Sequence, residues 1–98
     1  MYVNIKPSTS SGKKMMTISY DEAKKKVKTT HFGASVYEDY TTHQDLVRKQ
    51  NYLARHDKTE RWNDYMTAGS LSRWILWNRP TLTASIDNYI GRFKLKLI

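Results

Sequence analysis

The feature that most constrains the fold is the segment Thr67–Leu82, TAGSLSRWILWNRPTL, because apolar side chains cover nearly every side of its short helical stretch. The pattern predicts a helix over Leu71–Asn78, with Ser70 as its N-cap, since a serine oxygen can accept from the free amides of a first turn. Pro80 ends this helix, because proline disfavours a helical conformation in the residue before it. A short helix that is apolar all round is usually buried. The segment is therefore predicted to contribute to the hydrophobic core.

Two of the three tryptophans, Trp74 and Trp77, lie in this segment between Arg73 and Arg79. Their size and apolar surface favour a core role, and base stacking or a partner contact is the alternative interpretation. Arg73 and Arg79 are predicted to reach the surface with their aliphatic stems along the indoles.

A chain of 98 residues without cysteine is predicted to form a single domain with a modest core and no disulfide. The N-terminus lacks the apolar stretch of a signal peptide. The longest wholly apolar run, Trp74–Trp77, is far too short to span a bilayer. These features predict a soluble protein that is not transmembrane.

The chain is strongly basic, with 17 Lys and Arg against 9 Asp and Glu and a net charge of +8. The excess is spread along the chain and is not confined to one tail. A basic domain of this size favours polyanions, with nucleic acid first and then anionic membranes or acidic proteins. The alternative is a charged surface that only keeps the protein in solution.

The first third of the chain has the alternating pattern of β-strands. Met1–Lys6, Met15–Tyr20 and Lys25–Phe32 are predicted to form a small antiparallel meander within a β-rich part, residues 1–33. A helix over Tyr20–Val27 is the alternative, because Glu, Ala and Lys are good helix formers.

The densest basic run lies in the third predicted strand. There Lys24, Lys26 and Lys28 would share one face, because side chains alternate along a strand. Three ammonium groups in a row would suit a phosphate backbone, and they would equally protect an edge strand from aggregation.

The clearest helix is predicted to run from about Thr42 to Asp57, within a helical part over residues 42–98. A capping-box-like arrangement, THQD, starts it. Its inward side is predicted to consist of Leu46, Val47, Gln50, Leu53, Ala54 and Asp57. A second stripe, formed by Arg48, Tyr52 and Arg55 with Lys49 beside it, is either a nucleic-acid face or an ordinary solvated face.

A last helix is predicted after Thr81, a natural N-cap. Its apolar stripe consists of Leu82, Ile86, Tyr89, Ile90, Phe93 and Leu97. Arg92, Lys94 and Lys96 would complement the negative end of the helix dipole. The stripe would pack on the Trp74 helix or act partly as a dimer seam. The whole chain is therefore predicted to be α+β, with a small N-terminal antiparallel meander packed against about three helices.

No arrangement in the sequence indicates catalysis. The three histidines, His31, His43 and His56, lack the spacing of a metal site, and no nucleophile–base arrangement is present. Glu38 and Asp39 are predicted to be solvated or paired with nearby lysines. The sequence predicts a non-enzymatic protein without a cofactor, a metal or a small-molecule substrate.

Three stretches carry a family resemblance: HFGASVYEDYTTHQD, YLARH and TAGSLSRWILWNRPTLTASI. They are similar to a family of small, uncharacterised basic proteins of nucleocytoplasmic large DNA viruses, the giant viruses of algae and amoebae. The similarity runs from about His31 to Ile90. It implies a viral protein that is carried in the virion or made for assembly in the host cytoplasm or viral factory, and it brings no catalytic residues.

Together, the resemblance and the charge predict a protein that binds double-stranded DNA without sequence preference and packages or condenses the genome. Bridging DNA would need two binding faces or a homo-oligomer, such as a dimer. The alternative is a minor capsid or inner-virion structural protein that binds acidic proteins, other virion proteins or membrane surfaces. The predicted nucleic-acid contacts are Lys24, Lys26, Lys28, Arg48, Lys49, Tyr52, Arg55, Arg73, Arg79, Arg92, Lys94 and Lys96.

Overall fold

A four-stranded mixed sheet and four helices make up the computed structural model, which describes residues 1–98 and confirms the predicted α+β class. The strands are β1 (Tyr2–Pro7), β2 (Lys13–Tyr20), β3 (Lys26–Ala34) and β4 (Lys96–Leu97). The helices are α1 (Tyr40–His43), α2 (Leu46–His56), α3 (Ala68–Leu71) and α4 (Leu82–Phe93), and a π-helical turn over Ser72–Leu76 continues α3. No helix has the length and apolar character needed to cross a membrane.

Strands β1, β2 and β3 form the predicted antiparallel meander. Gly12 has a φ of 82° in the turn between β1 and β2, a conformation that glycine adopts without a steric penalty. Because side chains alternate along each strand, one face of the sheet carries Val3 and Phe32, which pack into the core.

The fourth strand differs from the prediction that the last helix extends to Leu97. Helix α4 ends at Phe93, and Lys94 takes a left-handed conformation with a φ of 53°. The chain then returns to the sheet, where β4 pairs in parallel with β1 and gives the strand order β3-β2-β1-β4. Backbone pairing with β1 therefore prevails over the apolar periodicity that favoured helix.

The predicted core segment does lie in the core. Leu71 is buried, as are Trp74, Ile75 and Leu76 of the π-helical turn. These four side chains pack with Val3, Phe32, Tyr89 and Leu95. Each fully buried side chain of this kind contributes roughly 1.5–3 kcal/mol relative to exposure. Gly33 permits close packing here, because a Cβ at this position would lie 2.6 Å from the Leu76 Cδ1.

The helical boundaries in this segment differ from the prediction. Thr67, and not Ser70, is the N-cap, because its Oγ1 accepts from the Ser70 amide at 3.1 Å. Ser70 is buried inside the helix and donates to the Trp62 carbonyl at 3.1 Å. The Trp77 amide donates to the Ser72 carbonyl at 3.0 Å, five residues back, which makes the second turn π-helical.

The predicted helix over Thr42–Asp57 is divided in two. Asp39 and Thr42 form a capping box for α1, and Gln44 then ends this helix in a left-handed conformation with a φ of 56°. Asp45 caps α2 by accepting from the Val47 and Arg48 amides at 2.9 and 3.2 Å. Two local caps thus replace the single predicted start.

Helix α2 also faces the core differently from the prediction. Leu46 and Val47, predicted to point inward, are 55% and 64% exposed. Tyr52 is the buried residue of α2, and its ring stacks on Trp77 with centroids 4.2 Å apart and planes 2° apart. The large flat contact between the two rings sets the rotation of the helix, which leaves Leu46 and Val47 in solvent and Leu53 partly buried.

The prediction that Lys24, Lys26 and Lys28 share one strand face is wrong. Lys24 lies in the turn before β3 with a φ of 60°. A β-bulge between the pairs Ser19–Lys28 and Tyr20–Lys26 then interrupts the alternation.

Candidate nucleic-acid interface

The structure places the twelve predicted contact residues in three regions. The helical side carries Lys49, Arg73, Arg79 and Arg92, which we call the cation cluster. A groove beside α2 is lined by Arg48, Tyr52 and Arg55. The strands and their flanking turns carry Lys24, Lys26, Lys28, Lys94 and Lys96.

Two arginines of the cation cluster lie against the same indole. The Arg73 Cζ is 4.2 Å, and the Arg92 Cζ 3.8 Å, from the ring centroid of Trp74. Arg73 also lies 5.4 Å from the ring of Trp62. Such cation–π contacts offset part of the cost of placing like charges near each other.

Backbone carbonyls at the end of the π-helical turn hold two members of the cluster. The Arg73 Nη1 donates to the Trp77 carbonyl at 2.9 Å, and the Lys49 Nζ donates to the Asn78 carbonyl at 2.6 Å. Cations commonly satisfy the free carbonyls at a helix C-terminus, so Lys49 and Arg73 have a structural role as well. The same bonds fix the positions of their charges.

The cluster has no acidic partner. The ion pairs of the structure are the N-terminal amine with Glu22, Lys14 with Asp39 and His56 with Glu60, and none includes a member of the cluster. The Nε of Arg73 is buried without a hydrogen-bond partner. The four positive charges are therefore left without a countercharge from the protein.

This crowding changes the proton affinity of two members. Burial lowers the pKa of the Lys49 ammonium, and the positive charges of Arg73 and Arg79 lower it further. Burial likewise lowers the pKa of Arg73, with a further contribution from the charge of Arg92. Both shifts show that the charged forms are disfavoured where they lie, which an anion at the cluster would reverse.

The groove beside α2 has a volume of about 670 Å³. Arg48 and Arg55 line it together with Lys13 and Lys14, which were not among the predicted contacts. Asp39, which also lines the groove, is 3% exposed and pairs with Lys14 at 2.6 Å, as predicted for this acidic pair. No local sequence pattern predicts that Lys13 and Lys14 lie at this groove, because 25 residues separate Lys14 from its partner Asp39.

Tyr52 supports the wall of this groove and does not offer a ring to solvent. It is 8% exposed, and one face of its ring is covered by Trp77. Burial raises the pKa of its hydroxyl to about 12. Tyr52 therefore has a packing role in the structure, through its contacts with Trp77 and His56.

The remaining lysines lie away from the cation cluster. Lys24 and Lys96 both approach the ring of Tyr2, with Nζ-to-centroid distances of 5.4 and 5.6 Å. Lys26 and Lys28 are exposed on β3, the edge strand at the other side of the sheet. The predicted contacts thus do not form one continuous surface.

Comparison with known proteins identifies one family. No curated protein and no solved structure matches the chain significantly. A profile described as a family of unknown function (DUF5754) matches residues 3–56, which contain the β-meander, α1 and α2. Because this match includes more than half of the chain, the protein belongs to the DUF5754 family.

Proposed function

We propose that this protein binds double-stranded DNA through the phosphate backbone, without sequence preference and without catalysis, and that it packages or condenses the genome of a giant virus. The cation cluster carries the proposal. The assignment to a virus rests on the sequence resemblance. We place the protein in the virion and, during assembly, in the host cytoplasm or viral factory.

The cluster suits a polyanion because its charges are close together, partly fixed and unpaired. Hydrogen bonds to the Trp77 and Asn78 carbonyls hold Arg73 and Lys49, and the indole of Trp74 supports Arg92. Arg79 and Arg92 are exposed and able to reach a phosphate. Phosphate contacts of this kind position a protein on DNA without reading its sequence.

The proposal predicts a steep salt dependence. Four phosphate contacts give a slope of about −3 to −4 in a plot of log affinity against log salt concentration. Unrelated duplexes of equal length should bind with equal affinity. Fluorescence anisotropy with labelled duplexes over a salt series measures both quantities.

A pair of charge-matched variants tests whether the cluster is the site. We expect Arg79→Gln with Arg92→Gln to weaken duplex binding and to reduce the magnitude of the salt slope by about two. The control is Lys25→Gln with Lys58→Gln, which removes the same charge from exposed positions outside the cluster. Equal losses in the two double variants would show that only net charge matters.

The alternative function is that of a minor capsid or inner-virion structural protein, and the outer face of α2 favours it. Leu46 and Val47 are exposed at the start of this helix, and exposed apolar side chains favour a protein contact. We propose that these two residues also contribute to the seam of a homodimer. Light scattering should then report two chains per particle, and Leu46→Glu should return the mass of one.

A further inference from the structure

One face of the sheet is free of the helices. The core side chains of the sheet, Val3 and Phe32, lie on the opposite face together with Ile5 and Met15, which pack against the core. By alternation, the free face carries Tyr2 on β1 and Tyr20 on β2. Both tyrosines are partly exposed, and neither packs in the hydrophobic core.

These tyrosines belong to a row that crosses all four strands. Tyr2 stands opposite Tyr20 on one side and opposite Lys96 on the other, and Tyr20 stands opposite Lys26. The row therefore reads Lys26–Tyr20–Tyr2–Lys96 across β3, β2, β1 and β4. In an antiparallel pair such as Tyr2 and Tyr20, the Cβ atoms of directly opposite residues lie roughly 4.5–5.5 Å apart.

The row also has a concentration of positive charge. The ammonium groups of Lys24 and Lys96 lie 5.4 and 5.6 Å from the centroid of the Tyr2 ring. Of the nearby acids, Glu22 pairs with the N-terminal amine and also lies close enough to Lys96 to feel its charge, and Asp21 accepts from the Lys25 amide at 2.9 Å. No ion pair of the structure includes Lys24, Lys26 or Lys96.

We propose that this face, Lys26–Tyr20–Tyr2–Lys96 with Lys24, is a second nucleic-acid site that binds unpaired nucleotides. The tyrosine rings stack on bases, and the lysines at the two sides contact the phosphates. Adjacent aromatic rings on a four-stranded sheet suit this task, because base stacking on a sheet requires bases that are splayed out of a helix. In a duplex the base faces are already stacked, so the site selects single strands.

This site is separate from the cation cluster, which lies on the helical side of the molecule. It is also independent of the proposed duplex binding, because it uses different residues and a different form of nucleic acid. If both proposals hold, one chain contacts two nucleic-acid segments at once. Either can fail without the other, and the experiment separates them.

The test compares three ligands of equal length: single-stranded oligo-dT, an abasic strand with the same phosphates, and a duplex. Anisotropy is measured at a salt concentration where the abasic strand binds weakly. We expect oligo-dT to bind more tightly than the abasic strand. We also expect Tyr2→Leu with Tyr20→Leu to remove this difference while duplex binding is unchanged, with a loss of about 5- to 150-fold for each tyrosine.

Two control variants make the result specific. Tyr37→Leu removes an exposed tyrosine outside the row and should leave oligo-dT binding unchanged. Arg79→Gln with Arg92→Gln should weaken duplex binding and preserve the preference for oligo-dT over the abasic strand. Equal affinity of the wild-type protein for the intact and abasic strands would overturn the proposal, as would an equal effect of Tyr37→Leu.

A second measurement uses the wild-type protein and so does not depend on the folding of a variant. Photo-crosslinking to an oligonucleotide that contains 5-iodouracil, followed by mass spectrometry, should label Tyr2 or Tyr20. Labelling that is confined to other residues would overturn the proposal.

Discussion

At the scale of single residues, Lys49 shows how one position serves both structure and function. Its Nζ satisfies the Asn78 carbonyl at 2.6 Å and lies 4.9 Å from the ring centroid of Tyr40. The same location is half-buried and close to other positive charges, so the charged ammonium is disfavoured. From the sequence, Lys49 was predicted to lie beside the Arg48 stripe, on either a nucleic-acid face or an ordinary solvated face.

We expect duplex DNA to raise the pKa of Lys49, because a phosphate stabilises its charged form. Without DNA the pKa lies below the ordinary value of 10.5, and the ammonium loses its proton as the pH rises through that lowered pKa. DNA affinity should therefore fall in the same pH range. Lysine-selective NMR titration with and without DNA measures the pKa, and Lys49→Gln assigns the signal.

Stability is a less direct measure of Lys49, because tyrosines with raised pKa values have the opposite effect on stability at high pH. The unfolded chain holds the Lys49 proton more tightly, so this lysine raises the free energy of unfolding as the pH approaches 10.5. The raised pKa of Tyr52, about 12, has the opposite effect above pH 10.

An unchanged Lys49 pKa in saturating DNA would contradict the assignment of Lys49 to the binding site.

At the scale of elements, α2 is positioned by its ends and by one aromatic contact. Asp45 caps its first turn, and Tyr52, near the middle of the helix, stacks on Trp77. Helix α2 carries Arg48, Lys49 and Arg55, so its placement determines which cations face the groove and which join the cluster. Element stability and candidate function are therefore coupled in this helix.

Removal of the Asp45 cap should destabilise the protein and loosen this placement. We expect Asp45→Ala to lower the free energy of unfolding by about 1 kcal/mol, the usual cost of losing an N-cap. Chemical denaturation followed by circular dichroism measures the change.

Asp57, at the other end of α2, provides the matched control. Its side chain caps nothing, and an acidic group is unfavourable near a helix C-terminus, so Asp57→Ala should be neutral or slightly stabilising. If the two substitutions cost the same, the capping geometry described for Asp45 does not hold in solution.

At the scale of the whole molecule, whose net charge is +8, the basic residues lie in separate regions. The cation cluster lies with the helices, and the lysines of the tyrosine row lie on the free face of the sheet. At physiological salt the Debye length is about 8 Å, so separated groups of charges act largely independently. This separation is the reason to treat the two surfaces as two sites.

Duplex DNA should stabilise the folded protein. A ligand that binds only the folded state at 100 times its Kd adds about 2.7 kcal/mol to the free energy of unfolding. We expect the melting temperature to rise with duplex concentration and the rise to disappear at high salt. Calorimetry or fluorescence melting measures it, and a salt-insensitive rise would contradict binding through phosphates.

Features that depend on local patterns could be predicted from the amino-acid sequence alone. Alternation predicted the three strands of the meander, and the dense apolar composition of Thr67–Leu82 predicted a buried segment. Thr81 was predicted correctly as an N-cap, because its side-chain oxygen accepts a hydrogen bond from the Ala84 amide, only three residues ahead. These signals suffice for the α+β class, since each arises within one turn or one strand.

Features that depend on contacts between residues distant in the sequence could not be predicted in this way. The stacking of Tyr52 on Trp77 rotated α2 away from its apolar periodicity, and β4 paired with β1 across nearly the whole length of the chain. The same is true of both candidate sites. Lys49 comes close to Arg73, and Lys26 aligns with Lys96, only after the chain has folded. Charge and aromatic content can be read from the sequence, whereas the surfaces that these residues share are set by packing and strand register.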